Sequence, residues 1–116
     1  MKKLLIASFV LASFNSMALD LSCFGTEPFW GLKLTDKTIT YSSPEQEEDM
    51  VLKVLAKNSA VGSSENFAFV VDTKYSSLTV ISGECNDGMS DGTYPYHAVF
   101  KRDNVVLYGC CEPTTK

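Results

Sequence analysis

Four cysteines, all downstream of an N-terminal segment with the features of an export signal, constrain the fold of this 116-residue chain more than any other feature. Two lysines follow the initiator methionine, an almost unbroken apolar run covers residues 4–14, and small residues stand at Ser16 and Ala18. This order is typical of a cleavable signal peptide, here residues 1–18. Thiols sent to an oxidising compartment form disulfides, so an even number of cysteines predicts a cross-linked scaffold. We expect a periplasmic protein with one mature domain, residues 19–116.

The charge balance favours one class of partner and excludes another. Loss of Lys2 and Lys3 with the signal changes the net charge from −4 to −6. An acidic surface repels phosphates, so we expect no nucleic-acid partner, whereas a basic protein such as a lysozyme would be attracted. No apolar run after the signal approaches the ~20 residues that span a bilayer. The mature chain is therefore expected to lack a membrane span and to be a monomer.

Apolar and polar residues alternate with a period of two through most of the mature chain, and turn residues recur at short intervals. This pattern predicts seven or eight short strands in an antiparallel meander that closes into a small barrel. The alternation is clearest in the pairs Leu32 and Leu34, Ile39 and Tyr41, Phe67 and Phe69, Leu78 and Val80, Ala98 and Phe100, and Val105 and Leu107.

One segment has two interpretations. Residues 51–56 can form a strand, but residues 47–57 can also form one short helix, because Met50, Val51, Val54 and Leu55 would share a helical face. The small and polar residues 58–65 are predicted to form a loop.

The adjacent Cys110 and Cys111 constrain the disulfides. Neighbouring residues of a strand point to opposite faces, so one sulfur is expected to bond inside the barrel and the other outside it or across a terminus. Of the three pairings that four cysteines allow, Cys85 with Cys110 and Cys23 with Cys111 is favoured. A metal site built from the vicinal thiols is the alternative, and the oxidising compartment disfavours it. We expect no metal and no cofactor.

The sequence holds no complete catalytic constellation. His97 is the single histidine, and nucleophile elbows and phosphate-binding loops are missing from the sequence. We therefore expect a protein without enzymatic activity. Trp30 is expected to plug one end of the barrel or, alternatively, to form part of a ligand-binding wall.

The segment from Asn86 to Tyr94 is the candidate contact surface. Two glycines allow close approach of a partner, and Cys85 and Pro95 flank the segment. The alternative is that its aspartates only cap turns, and their spacing lacks the ligand pattern of a calcium loop. The predicted binding residues are Asp87, Met89, Ser90, Asp91 and Tyr94.

Three motifs together resemble a family of uncharacterised bacterial envelope proteins and lipoproteins. They are Glu27-Pro28-Phe29-Trp30, the segment from Cys85 to Asp91 followed by Tyr94-Pro95, and Gly109-Cys110. Many members carry lipoprotein signals, in which small or aliphatic residues stand directly before the modified cysteine. This chain departs from that pattern, because the acidic residue Asp20 lies close before Cys23. The resemblance implies an envelope location and no established activity.

A weaker likeness is to periplasmic inhibitors of c-type lysozyme, which are small disulfide-closed β-barrels. Residues 99–107 and Cys110 are similar to their penultimate hairpin and last cysteine. Their inhibitory Ser-Gly-x-x-Tyr motif corresponds only approximately to Ser90-Asp91-Gly92-Thr93-Tyr94. Our functional hypothesis is an exported binding module of the envelope, with lysozyme inhibition, small-ligand binding or a structural role as alternatives.

Overall fold

Nine antiparallel strands form one curled sheet in this protein, for which the structure is a computed structural model describing residues 19–88 and 92–114. The predicted signal peptide, and Met89, Ser90 and Asp91 of the predicted contact segment, lie outside the described residues. The strands are β1 (Leu21–Thr26), β2 (Phe29–Leu34), β3 (Thr38–Ser42), β4 (Met50–Lys53), β5 (Ala56–Ser59), β6 (Ala68–Asp72), β7 (Ser76–Asn86), β8 (Thr93–Arg102) and β9 (Val105–Pro113).

Each strand pairs with its neighbours in the sequence and β1 pairs with β9, but the consecutive strands β4 and β5 do not pair with each other. Neighbours run β4-β3-β2-β1-β9-β8-β7-β6-β5, so the first and last strands, β1 and β9, meet in the middle and β4 and β5 form the edges. The sheet curls into a half-barrel. The predicted all-β, antiparallel, barrel-like fold is confirmed, with nine strands where the sequence indicated seven or eight. Among the described residues, no helix could cross a membrane.

The extra strand comes from residues 50–59, for which the helical alternative is wrong. Val54 donates its backbone N–H to the carbonyl of Lys37, beside β3, whereas Leu55 donates to the carbonyl of Asp72 on β6. The chain therefore leaves one end of the sheet and joins the other between two adjacent residues. The prediction of a loop over residues 58–65 is wrong for its first two residues, because backbone pairing with β6 extends β5 to Ser59.

Alternate residues of the strands point into the curl and form one core. The partners Leu21 and Leu34 are both buried, as are Leu78 and Phe100 across β7 and β8. Burial of each such side chain contributes about 1.5–3 kcal/mol. The aliphatic and aromatic members of the core are Leu21, Trp30, Leu32, Leu34, Ile39, Tyr41, Phe69, Val71, Leu78, Val80, Ala98, Phe100 and Leu107.

Two disulfides lie on opposite faces of β9. Cys23 and Cys111 are direct partners in the β1–β9 ladder, and their disulfide belongs to the core. The Cys85–Cys110 disulfide joins β7 to β9 across the intervening β8. This is the pairing that the sequence favoured, and the alternating direction of Cys110 and Cys111 explains it. The disulfides indicate an oxidising, extracytoplasmic compartment.

Candidate binding groove

A groove opens where β1 and β9 separate. Their ladder runs from Leu21 opposite Pro113 to Phe24 opposite Cys110 and ends there. Beyond this point a cavity of about 260 Å³ is lined by residues 24–28, 86–87 and 106–110. We call it the β1–β9 groove. Each of its three walls belongs to a different part of the chain, so it exists only in the folded protein.

Trp30 holds the two strands apart. It lies opposite Gly25 in the β1–β2 ladder, and its indole Nε1 donates to the carbonyl of Tyr108 on β9 at 3.4 Å. The indole also stacks on Phe100, with ring centroids 6.3 Å apart. Trp30 is only 4% exposed, which favours the predicted plug over the predicted ligand wall.

Two glycines make room for this arrangement. A Cβ at Gly25 would overlap the indole of Trp30, and a Cβ at Gly109 would overlap the backbone carbonyl of Phe24. The segment from Gly25 to Trp30 and the Gly109-Cys110 pair therefore have a structural role in this fold. The turn between β1 and β2 is Glu27-Pro28, whose peptide bond is cis.

The far end of the β7–β8 hairpin folds over the outside of the sheet and completes the groove. The β7–β8 register shifts between Ser82 and Cys85, a bulge that bends the hairpin. Beyond the bulge, the disulfide from Cys85 reaches β9, and Tyr94 packs edge-on against Phe24 of β1 at 4.8 Å. These contacts join strands that are not neighbours in the sheet, so the hairpin end must cross its outer face.

The hairpin end is also tied to the tip of β1. Thr26 donates its hydroxyl hydrogen to the backbone carbonyl of Asp87 at 3.2 Å. Asn86 accepts from the N–H of Gly88 at 2.7 Å and donates to the carbonyl of Gly92 at 3.3 Å. The Asn86 side chain thus joins Gly88 to Gly92, and Asp87 lies beside the groove.

The predicted binding residues divide into three groups. Asp87 lines the groove. Tyr94 is half-buried, and its ring packs against Phe24 of β1. Met89, Ser90 and Asp91 fall outside the described residues.

His97 lies on the outer face of β8, next to Tyr108. Its Nδ1 and the Tyr108 hydroxyl are 2.7 Å apart, and the imidazole contacts no carboxylate among the described residues. Within residues 19–88 and 92–114, no three histidine, cysteine, aspartate or glutamate side chains are arranged to hold a metal ion.

Sequence reasoning missed the β9 wall of the groove. Val106 and Tyr108 face outward and are 60% and 58% exposed. The sequence does hold a signal for them, because Val105-Val106-Leu107-Tyr108 is apolar on both faces of a strand that should be apolar on only one. The groove also joins residues more than 60 positions apart, such as Thr26 and Asp87, which no local pattern connects.

Comparison of the chain with protein-family models, with characterised proteins and with solved structures finds no match.

Proposed function

We propose that this protein is an exported, non-enzymatic binding module of the cell envelope, and that its β1–β9 groove holds a basic segment of a partner protein. The observation that carries the proposal is the combination of aromatic and acidic residues in one groove. Phe24 and Tyr108 line it together with Glu27 and Asp87. Aromatic faces and carboxylates both attract cations, so a lysine or arginine side chain is the group that fits this lining.

The size of the groove supports a protein partner over a free small ligand. Its volume of about 260 Å³ lies below the ~300–1,000 Å³ of pockets that enclose drug-sized molecules. One long side chain can enter, while the rest of the partner lies on the exposed rim. Val106 and Tyr108 offer apolar contact there.

The charge of the whole chain supports a basic partner too. With the signal removed, the net charge of −6 would steer a cationic protein toward the surface. Association by this route should slow as ionic strength rises, because salt screens exposed charges. We place the interaction in the periplasm, following the predicted signal peptide and the extracytoplasmic disulfides.

The first experiment is affinity capture from periplasmic extract with wild-type protein and two groove variants. Glu27→Lys reverses a rim charge, and Tyr108→Ala removes an aromatic wall. Glu65→Lys is the matched control, because Glu65 is exposed on the β5–β6 loop and does not line the groove. We expect a stoichiometric basic protein on the wild type and on the control, and a clear loss on both groove variants.

An envelope-structural role would give a different result, with no stoichiometric partner on any of the four proteins. Equal capture by the wild type and both groove variants would show that a partner exists and that the groove is not its site.

Lysozymes are the first basic proteins to test directly. The assay measures c-type lysozyme activity with wild type and with a Ser90→Ala/Asp91→Ala variant. Tyr94 stays unchanged in this variant because its ring packs against Phe24. If it were removed, a loss of inhibition could come from altered folding as well as from lost binding. Inhibition by the wild type alone would assign the lysozyme-inhibitor role, and no inhibition of c-type, g-type or i-type enzymes would exclude it.

A further inference from the structure

The free edge of β4 is a second surface, remote in sequence from the β1–β9 groove. Residues opposite each other in an antiparallel ladder alternate between hydrogen-bonded and non-hydrogen-bonded pairs. Val54 donates to the carbonyl of Lys37, so Leu52 and Met50 also direct their backbone groups toward β3. Val51 and Lys53 therefore direct theirs away from β3, to the open edge of the sheet.

An apolar groove runs beside this edge. It measures about 260 Å³ and is lined by β4, Leu55 and the β6–β7 turn. The side chains of Val51, Leu55 and Tyr75 are 67%, 60% and 73% exposed. Three large apolar side chains around unpaired backbone groups are the arrangement to which an added strand binds.

The charged side chains that line the groove are positive. Its charged lining residues among the described part of the chain are Lys53 and Lys74, and no carboxylate lines it. The Lys74 ammonium lies 5.4 Å from the centroid of the Tyr75 ring. A chain with a net charge of −4 thus presents a basic, apolar strip at this one edge.

We infer that β4 binds an extended, acidic segment of a partner protein, which adds to the sheet as a further strand. Its backbone would pair with Val51 and Lys53, its apolar side chains would contact Leu55 and Tyr75, and its carboxylates would face Lys53 and Lys74. Lysine on an edge strand can also serve to prevent pairing with other edges. That role accounts for Lys53, but it does not account for Lys74 in the turn or for the exposed apolar side chains.

The unpaired backbone groups can be tested first by amide hydrogen exchange. In the protein alone, the amides of Val51 and Lys53 should exchange rapidly, while those of Leu52 and Val54 are protected. Protection of Val51 and Lys53 in the absence of a partner would mean that this edge is already occupied, and would overturn the proposal.

Binding is then tested with a displayed library of random eight-residue peptides, selected on the wild-type protein. We expect the enriched peptides to alternate apolar and acidic residues, and a synthetic copy of one should slow exchange at Val51 and Lys53. A library that yields no binder, or binders without acidic residues, would contradict the proposal.

Three variants decide where such a peptide binds. Lys53→Glu/Lys74→Glu should weaken binding by about tenfold, because two attractive charge contacts with the acidic peptide become repulsive. Val51→Pro should abolish it by removing an edge N–H that the β3–β4 ladder does not use. Lys33→Glu, an exposed lysine of β2, is the control and should change the affinity by less than about twofold. Equal effects of the control and the edge variants would exclude the β4 site.

Discussion

At the scale of single residues, the β1–β9 groove depends on the space that two glycines leave for Trp30. The indole fills the position that a side chain at Gly25 would occupy, and its N–H bonds the carbonyl of Tyr108. The groove therefore depends on a buried tryptophan that a ligand does not need to touch. Changes at these glycines should act on folding and on the groove together.

Gly25→Ala should destabilise the protein by about 1–3 kcal/mol, the usual cost of overpacking a core. Thermal or urea unfolding measures this. Gly31→Ala is the control, because a Cβ there would approach only the rotatable hydroxyl of Ser42, at 3.3 Å. Emission from the single tryptophan should shift to longer wavelength in Gly25→Ala as the indole is displaced. Equal stability of the two variants would contradict the packing described for Trp30.

Two substitutions of Tyr108 distinguish an effect on stability from an effect on partner binding. Its ring is 58% exposed and its hydroxyl contacts His97, so Tyr108→Phe should cost no more than about 1 kcal/mol of stability and should leave partner binding intact. Tyr108→Ala should keep the fold but lose binding, because the aromatic wall is removed. If Tyr108→Phe and Tyr108→Ala weaken binding equally, the hydroxyl rather than the ring is the contact.

At the scale of elements, the two disulfides have different roles, one in the stability of the core and the other in the position of the β7–β8 hairpin end. Cys23–Cys111 closes a loop of 88 residues inside the core, and Cys85–Cys110 closes one of 25 residues outside it. In the chain-entropy treatment these loops stabilise the fold by about 4.5 and about 3.5 kcal/mol. The outer disulfide also fixes the folded-over end of the β7–β8 hairpin against β9.

Cys23→Ser/Cys111→Ser should therefore lose more stability, and Cys85→Ser/Cys110→Ser should lose more affinity for the partner. The physical reason is that a released hairpin end must be ordered again when the partner binds. Urea unfolding and a binding titration on the same two variants measure both effects. An outer-disulfide variant that binds as tightly as wild type would show that the hairpin end does not form part of the site.

Some elements could be predicted from the sequence and others could not. The strands with two-residue alternation, such as Ile39 and Tyr41, show which face is buried. The Cys110-Cys111 pair indicates that its two disulfides lie on opposite faces of a strand, and the favoured pairing is the one that forms. Strand β5 has the sequence Ala-Lys-Asn-Ser and all four residues are exposed, so only its backbone pairing with β6 makes it a strand. A pattern of side chains cannot indicate a strand of this kind.

At the scale of the whole molecule, the groove depends on contacts between the first two strands, β1 and β2, and the last three, β7 to β9. Phe24 meets Tyr94, Thr26 meets Asp87, and Trp30 meets Tyr108, and each pair is far apart in sequence. Local patterns carry no information on contacts between residues so far apart in the sequence, whereas the alternation of apolar and polar residues is enough to predict the barrel-like fold.

Export can be checked on the intact protein. The mature form should begin at Leu19, and its mass should rise by four hydrogen atoms on reduction, because both disulfides form in the same oxidising compartment. Mass spectrometry of the protein recovered from its native compartment measures both values. Free thiols in the unreduced sample, or retention of residues 1–18, would contradict the export prediction.

Photo-crosslinking in the native cells tests the binding function most directly. A photoreactive amino acid replaces Val106 on the wall of the groove or, as control, Val61, which is fully exposed on the β5–β6 loop. We expect position 106 to give one discrete adduct with a basic protein, position 61 to give none, and Glu27→Lys to remove the adduct at 106. The absence of an adduct at 106, or the same adduct from position 61, would contradict the proposal that this groove binds a basic partner.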